Sequence, residues 1–303
     1  MGKIALLFAG QGAQRSGMGR SIYEASAAAR KAMDEAESIR PGTLAQCFEG
    51  PDEALRQTVN TQPCLMLVDY ACALAAREAG VTPDCAAGFS LGEVAAAAFA
   101  GMLPFEAAFR LVMRRAELMQ AAAERHPGAM GAVLRLSAEQ VEAICAQVGE
   151  AYPVNYNCPG QIVVACLEDR FEALTAAVTA QRGRVMRLGV SGAFHSPWMK
   201  EAQAGLSEYL AGIALRTPDI PLYANATGTP YAGDLRALLS RQVASPVRFE
   251  DSVRAMAEAG VDTFVEVGPG TTLSGLVRKT LTARVFNVED EQSLRACMEG
   301  LNA

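Results

Sequence analysis

Cys85-Ala-Ala-Gly88-Phe89-Ser90-Leu91-Gly92-Glu93-Val-Ala-Ala-Ala-Ala-Phe-Ala100 joins a short apolar run, a serine set between two glycines, and a strongly helical run. The G-x-S-x-G spacing in that context predicts strand, tight turn and helix, an elbow that lifts a serine hydroxyl to a helix N-terminus. Helix-end N–H groups and the macrodipole there favour negative charge developing beside the hydroxyl. The motif alone also fits an ordinary Gly/Ser turn, so its meaning depends on a second group.

A hydroxyl is a poor nucleophile at neutral pH and needs a base. The chain has two histidines. His126, in Glu-Arg-His-Pro-Gly, reads as a solvated residue at a polar helix exit. His195, in Ser191-Gly-Ala-Phe-His-Ser-Pro-Trp-Met199, follows an apolar stretch and stands between a glycine-containing loop and a new helix, where it can reach a cleft. The supported pair is Ser90 with His195.

Half of the 303 residues are hydrophobic, enough for a sizeable core and for one large domain with a smaller insert. A formal charge of −6 argues against nucleic acid as a main partner. The eight cysteines are scattered without C-x-x-C or other metal spacing, so they read as reduced, buried thiols of a cytoplasmic protein. The apolar run 4–9 is too short for a signal core, Met1-Gly2 lacks the Ser or Thr that myristoylation requires at Leu6, and no stretch reads as membrane-spanning.

Strands and helices alternate along the chain. A strand at 4–9 leads into the loop Gly10-Gln-Gly-Ala-Gln14, and helical patterns cover 22–38, 61–79 (with Pro63 in the first turn) and 104–123. After Pro127-Gly128 the order becomes strand 129–136, helix 137–148, strands 154–157 and 162–166, helix 168–181, strand 184–189, a ferredoxin-like unit. From Gly192 the α/β rhythm returns: a helix to about 211, a strand at 222–225, helices at 233–241 and 247–259, a strand at 263–266, then helix and strand to 288. The expected fold is a large α/β-hydrolase-like domain with a parallel sheet core, 1–126 with 192–303, and a small ferredoxin-like α+β insert, 127–191.

Seven motifs carry a resemblance that runs nearly end to end: Phe8-Ala-Gly-Gln-Gly-Ala-Gln14, Thr61-Gln-Pro63, Gly88-Phe-Ser-Leu-Gly-Glu93, Asn155-Tyr-Asn-Cys-Pro-Gly-Gln161, Gly192-Ala-Phe-His-Ser196, Gln242-Val-Ala-Ser-Pro-Val247 and Glu266-Val-Gly-Pro-Gly270. The chain resembles malonyl-CoA:acyl carrier protein transacylases and the acyltransferase domains of polyketide synthases. That resemblance implies malonyl-CoA and acyl carrier protein as partners, no cofactor and no metal. It implies Ser90 as nucleophile, His195 as base, the Gln242 carbonyl as the group orienting the histidine, and the backbone N–H groups of Gln11 and Leu91 as oxyanion donors. It also places Gln62, Phe89 and Phe194 at the substrate.

A malonyl carboxylate needs a cation in a water-poor pocket, which a bidentate guanidinium suits. On the helix from Pro104, Arg115 falls on the flank of an apolar stripe, whereas Arg110 and Arg114 lie on the polar side with Glu106 and Glu117. Gapless alignment on the elbow matches Arg115 to the family's carboxylate-binding arginine. Two departures stand out: Phe89 replaces the family's histidine beside the serine, and Ala116 replaces a glycine. Phe194 matches the bulky form associated with malonyl over methylmalonyl groups. Lys200, Arg278 and Lys279 are candidate cations for two anionic partners. A serine thioesterase or esterase and a non-catalytic CoA- or carrier-binding module are the alternatives. The first would place its histidine near the C-terminus after an acid, and the second would be free to lose Ser90, His195 or Arg115.

Overall fold

Strand β1 (Lys3–Phe8) buries every residue but its first, and β2 (Cys85–Gly88) buries all four. Such uninterrupted apolar strands suit a parallel sheet covered on both faces. The computed structural model describes residues 2–190 and 192–303; Met1 and Ser191, named above at the N-terminus and at the end of the insert, lie outside them. The other strands are β3 (Gly128–Leu134), β4 (Ala151–Cys158), β5 (Gln161–Leu167), β6 (Arg184–Arg187), β7 (Leu222–Tyr223), β8 (Val247–Arg248), β9 (Val261–Val267) and β10 (Arg284–Val288).

The first sheet runs β10-β9-β1-β2-β7, and every pairing in it is parallel. The chain leaves β1 towards β2 on one side and returns to β9 on the other, so a crevice opens beyond the carboxyl ends of the central strands. Phe8 pairs with Gly88, which brings the 9–14 loop and the serine elbow side by side. The buried helix Thr58–Glu78 packs on this sheet and against the helix Phe105–Arg125.

The second sheet has the order β6-β3-β5-β4-β8. Its first four strands are antiparallel, with β5 between β3 and β4 and with helices Ala138–Val148 and Phe171–Ala180 in the two crossovers, a split β-α-β arrangement. Ser137 and Gln140 form a reciprocal capping box at the first of these helices.

Four expectations are corrected. The pattern over 22–38 is two helices, Arg20–Ala25 and Ala27–Ile39. Ser26 adopts an extended conformation between them and its hydroxyl caps Ala29 N–H. The helix read from 61 begins at Thr58, which leaves Pro63 inside it and not in its first turn. The stretch 247–259 is a helix only over Phe249–Glu258, because Val247 and Arg248 form β8, parallel to β4. The helix read from Gly192 begins at Lys200, after a 3-10 turn over Pro197–Met199. All eight cysteines are buried and unpaired, and among the described residues no helix is long and apolar enough to cross a membrane.

Candidate active site

The elbow is closed by contacts that exclude side chains. A Cβ on Gly88 would lie 1.9 Å from the Gly92 carbonyl carbon, and one on Gly92 would lie 2.4 Å from the Phe8 and Ala9 oxygens. Ser90 itself takes a left-handed φ of 54°, and His195 one of 62°. Residues other than glycine held there store strain of about 1–3 kcal/mol and cluster at functional sites. Hydrogen bonds impose both conformations. Ser90 N–H donates to Asn225 Oδ1 at 2.7 Å, Asn225 Nδ2 donates to Gly88 O at 2.6 Å, and His195 N–H donates to Val243 O at 3.1 Å.

These constraints bring Ser90 Oγ to 2.7 Å from His195 Nε2. His195 Nδ1 lies 3.0 Å from the Gln242 carbonyl oxygen. A carbonyl only accepts, so Nδ1 carries the proton and Nε2 is left as acceptor for the serine hydroxyl. Burial, helped by the Arg115 charge, pushes the imidazole down to about 4, so the ring is neutral at physiological pH with Nε2 free to accept a proton. His126 caps the end of the helix Phe105–Arg125 and is absent from the cavity lining.

Arg115 is 2% exposed on that same helix, while Arg110 and Arg114 are exposed and paired with Glu106 and Glu117. Its guanidinium donates to Gln62 Oε1 at 2.7 Å, to Gln242 Oε1 at 2.8 Å and to Ser90 Oγ at 3.1 Å. Burial lowers it to about 10, which leaves it charged at neutral pH. A cation thus lies against the serine oxygen without a carboxylate partner among its hydrogen bonds.

A cavity of about 270 Å³ opens over the pair, lined by Gln11, Phe89, Ser90, Met119, Phe194 and His195 among others. Leu91 is the buried N-cap of the helix Gly92–Phe99, so its N–H lies in the turn directly after the serine. Phe89 packs with Phe249, ring centroids 5.5 Å apart, in the apolar cluster that holds Leu273 and Leu276, whereas Met119 and Phe194 belong to a different one. The position beside the serine therefore faces another wall of the cavity from Phe194.

Several site residues carry no assignment in the sequence reading. Glu93 is fully buried, accepts from Gln242 Nε2 at 2.8 Å and Asn225 N at 3.3 Å, and takes a very short hydrogen bond from Tyr231 Oη. Burial raises its carboxyl to about 7. An acid opening an otherwise apolar helical run is the one local signal of it in the sequence. Asn155 and Asn157 line the cavity, and their buried Oδ1 atoms have no partner.

A serine hydroxyl against a neutral histidine held through a backbone carbonyl, with an inward guanidinium beside it, is an arrangement suited to transfer of an anionic acyl group. The chain matches the acyl transferase domain family over residues 5–296. It is 38% identical to the malonyl CoA-acyl carrier protein transacylase of Bacillus subtilis, over 99% of this chain and 98% of that protein. The crystal structure of malonyl CoA-acyl carrier protein transacylase from Clostridium perfringens superposes with a TM-score of 0.96 at 34% identity, covering 99% of this chain and 97% of the other. A malonyl-transacylase in complex with its type II polyketide synthase acyl-carrier protein superposes at 0.94 with 33% identity, covering 98% and 99%. Sequence and fold agree: this chain belongs to the acyl transferase family.

Proposed function

We propose that this protein moves a malonyl group from malonyl-CoA to the phosphopantetheine thiol of an acyl carrier protein through an ester on Ser90. The observation that carries the reading is Arg115 Nη2 at 3.1 Å from Ser90 Oγ, a buried cation beside the nucleophile and within reach of the carboxylate of a short acyl group esterified there.

Ser90 Oγ attacks the thioester carbonyl carbon while His195 Nε2 takes its proton. The oxyanion is met by the N–H groups of Leu91 and Gln11. The carbon–sulfur bond breaks, and CoA leaves as the thiol with the proton from Nε2. In the second half the carrier thiol gives its proton to His195, its sulfur attacks the ester, and Ser90 recovers its hydroxyl. The Gln242 carbonyl keeps the imidazole in one tautomer through both halves. Gln62 and Gln242 hold the guanidinium by their side chains, and Phe194 closes the acyl end of the cavity. The partnerless Asn155 and Asn157 oxygens suit the amide N–H groups of a pantetheine arm. Exposed Lys279 reaches Gln161 on the cavity rim at 3.3 Å, and with Arg278 and Lys200 it offers positive charge to CoA phosphates and an acidic carrier. In this reading residues 1–126 with 192–303 form the catalytic lobe and 127–191 the smaller one, supported by the two separate sheets. The eight buried, unpaired cysteines support a cytoplasmic setting.

Incubation with radiolabelled malonyl-CoA and carrier tests the reading. Transfer gives a labelled enzyme and then a labelled carrier. Free malonate alone would mark a hydrolase, and neither product would mark a binding module.

Two results are expected at this stage. Malonyl-enzyme formation by rapid quench should hold steady from about pH 6.5 to 5 and fall below with an apparent pKa near 4, because the depressed histidine stays deprotonated until then. A limb at the ordinary histidine value would contradict the buried, cation-facing base. Phe89→His should change kcat/KM for malonyl-CoA by about tenfold or less, since the side chain at 89 supplies neither the proton path nor an oxyanion donor and a lost or gained polar contact is worth about 0.5–1.5 kcal/mol. Steady-state kinetics of the two forms decide it.

A further inference from the structure

Arg115 is a buried cation in the free protein, and an unopposed charge in such surroundings is costly. None of its hydrogen bonds reaches a carboxylate directly. One carboxylate is reached through a single side chain: Gln242 Oε1 accepts from Arg115 Nη2 at 2.8 Å while Gln242 Nε2 donates to Glu93 at 2.8 Å. Both residues are fully enclosed, so their charges act through protein and not through water.

We infer that Glu93 is the resting counter-charge of Arg115, and that it takes up a proton when the substrate's own carboxylate reaches the guanidinium. The inference rests on the reading of Arg115 as the malonyl-binding cation. With two carboxylates around one guanidinium the enclosed site would hold an excess negative charge, and protonation of the one that is not bound to Arg115 restores balance.

The groups facing Glu93 allow that change. Tyr231 Oη, Gln242 Nε2 and Asn225 N–H donate to it, Arg115 is the cation that acts on it among the described residues, and Arg241 acts on Tyr231. A protonated Glu93 still accepts through its other lone pairs, so the network need not break. Burial already holds the carboxyl near 7, close enough to neutrality for a modest change in charge to decide its state. Because Gln242 also holds His195 through its carbonyl, Glu93 acts as a positioning residue and not as one that meets the acyl group.

The chemistry of the first half leaves protons balanced, since the serine proton departs on the CoA thiol. Any uptake therefore reports the protein. In weakly buffered solution at about pH 8, malonylation of the wild type should consume about one proton per malonyl-serine, and acetyl-CoA, which brings no carboxylate, should give none. In the wild type kcat/KM for malonyl-CoA should fall by up to tenfold per pH unit above about pH 7, as the free carboxyl loses its proton. Glu93→Gln keeps both acceptor and donor capacity but cannot titrate. It should abolish the uptake, flatten that limb and lower KM for malonyl-CoA at pH 8 several-fold. No uptake in the wild type, or an unchanged limb in Glu93→Gln, overturns the proposal, and the wild-type measurement decides it should the variant not fold. Arg115→Ala separates the two claims. If that variant still prefers malonyl over acetyl groups, the reading of Arg115 fails. If the preference is lost but the wild type takes up no proton, only the exchange of charge between carboxylates fails.

Discussion

Ser90→Ala is expected to abolish covalent malonylation, and His195→Ala to slow transfer by about 10²–10⁴-fold, the range for loss of a positioned general base. The 2.7 Å contact between Oγ and Nε2 is the proton path, and no other histidine lines the cavity. His126→Ala should leave the rate nearly unchanged. Trapping of labelled enzyme and single-turnover transfer measure all three. Equal damage from His126→Ala would refute the assignment of the base.

Arg115→Ala should lose malonyl transfer and gain relative activity with acetyl-CoA. A carboxylate entering the enclosed pocket would have no counter-charge, and removing one partner of a buried hydrogen-bonded charge pair costs about 2–5 kcal/mol. Arg114→Ala should have little effect, because that side chain is exposed and paired with Glu117 at 2.9 Å. The ratio of kcat/KM values for malonyl- and acetyl-CoA in each variant reads the difference. A larger loss of discrimination in Arg114→Ala would sink the argument from helix faces.

Local spacing made the elbow legible: glycines two positions either side of a serine, between an apolar run and an alanine-rich one, leave few alternatives. Helical periodicity likewise separated Arg115 from Arg110 and Arg114, because a rotation of about 100° per residue converts sequence position into burial. The same periodicity overran the break at Ser26, where a cap competes with helix continuation. The two-residue strand β8 was invisible because its partner, β4, lies far away in sequence. Glu93 and Asn225 escaped assignment for a related reason. Their importance lies in joining Ser90 to Gln242 across long sequence separations, which no window of neighbours reports. The helix Glu291–Asn302 lies beyond the last strand expected from the sequence and is announced there only by the capping pair Asp290 and Ser293.

The short strand β8 has a mechanical consequence. It follows closely on the 3-10 turn Gln242–Ala244, whose first carbonyl holds His195, and it is stitched by backbone pairing to β4 of the second sheet. The second sheet is thus tied through β8 to the segment that holds the histidine. A displacement of β4 relative to the parallel sheet would therefore be felt at the segment that sets the imidazole, so the aim of the ring depends on how the two sheets are seated.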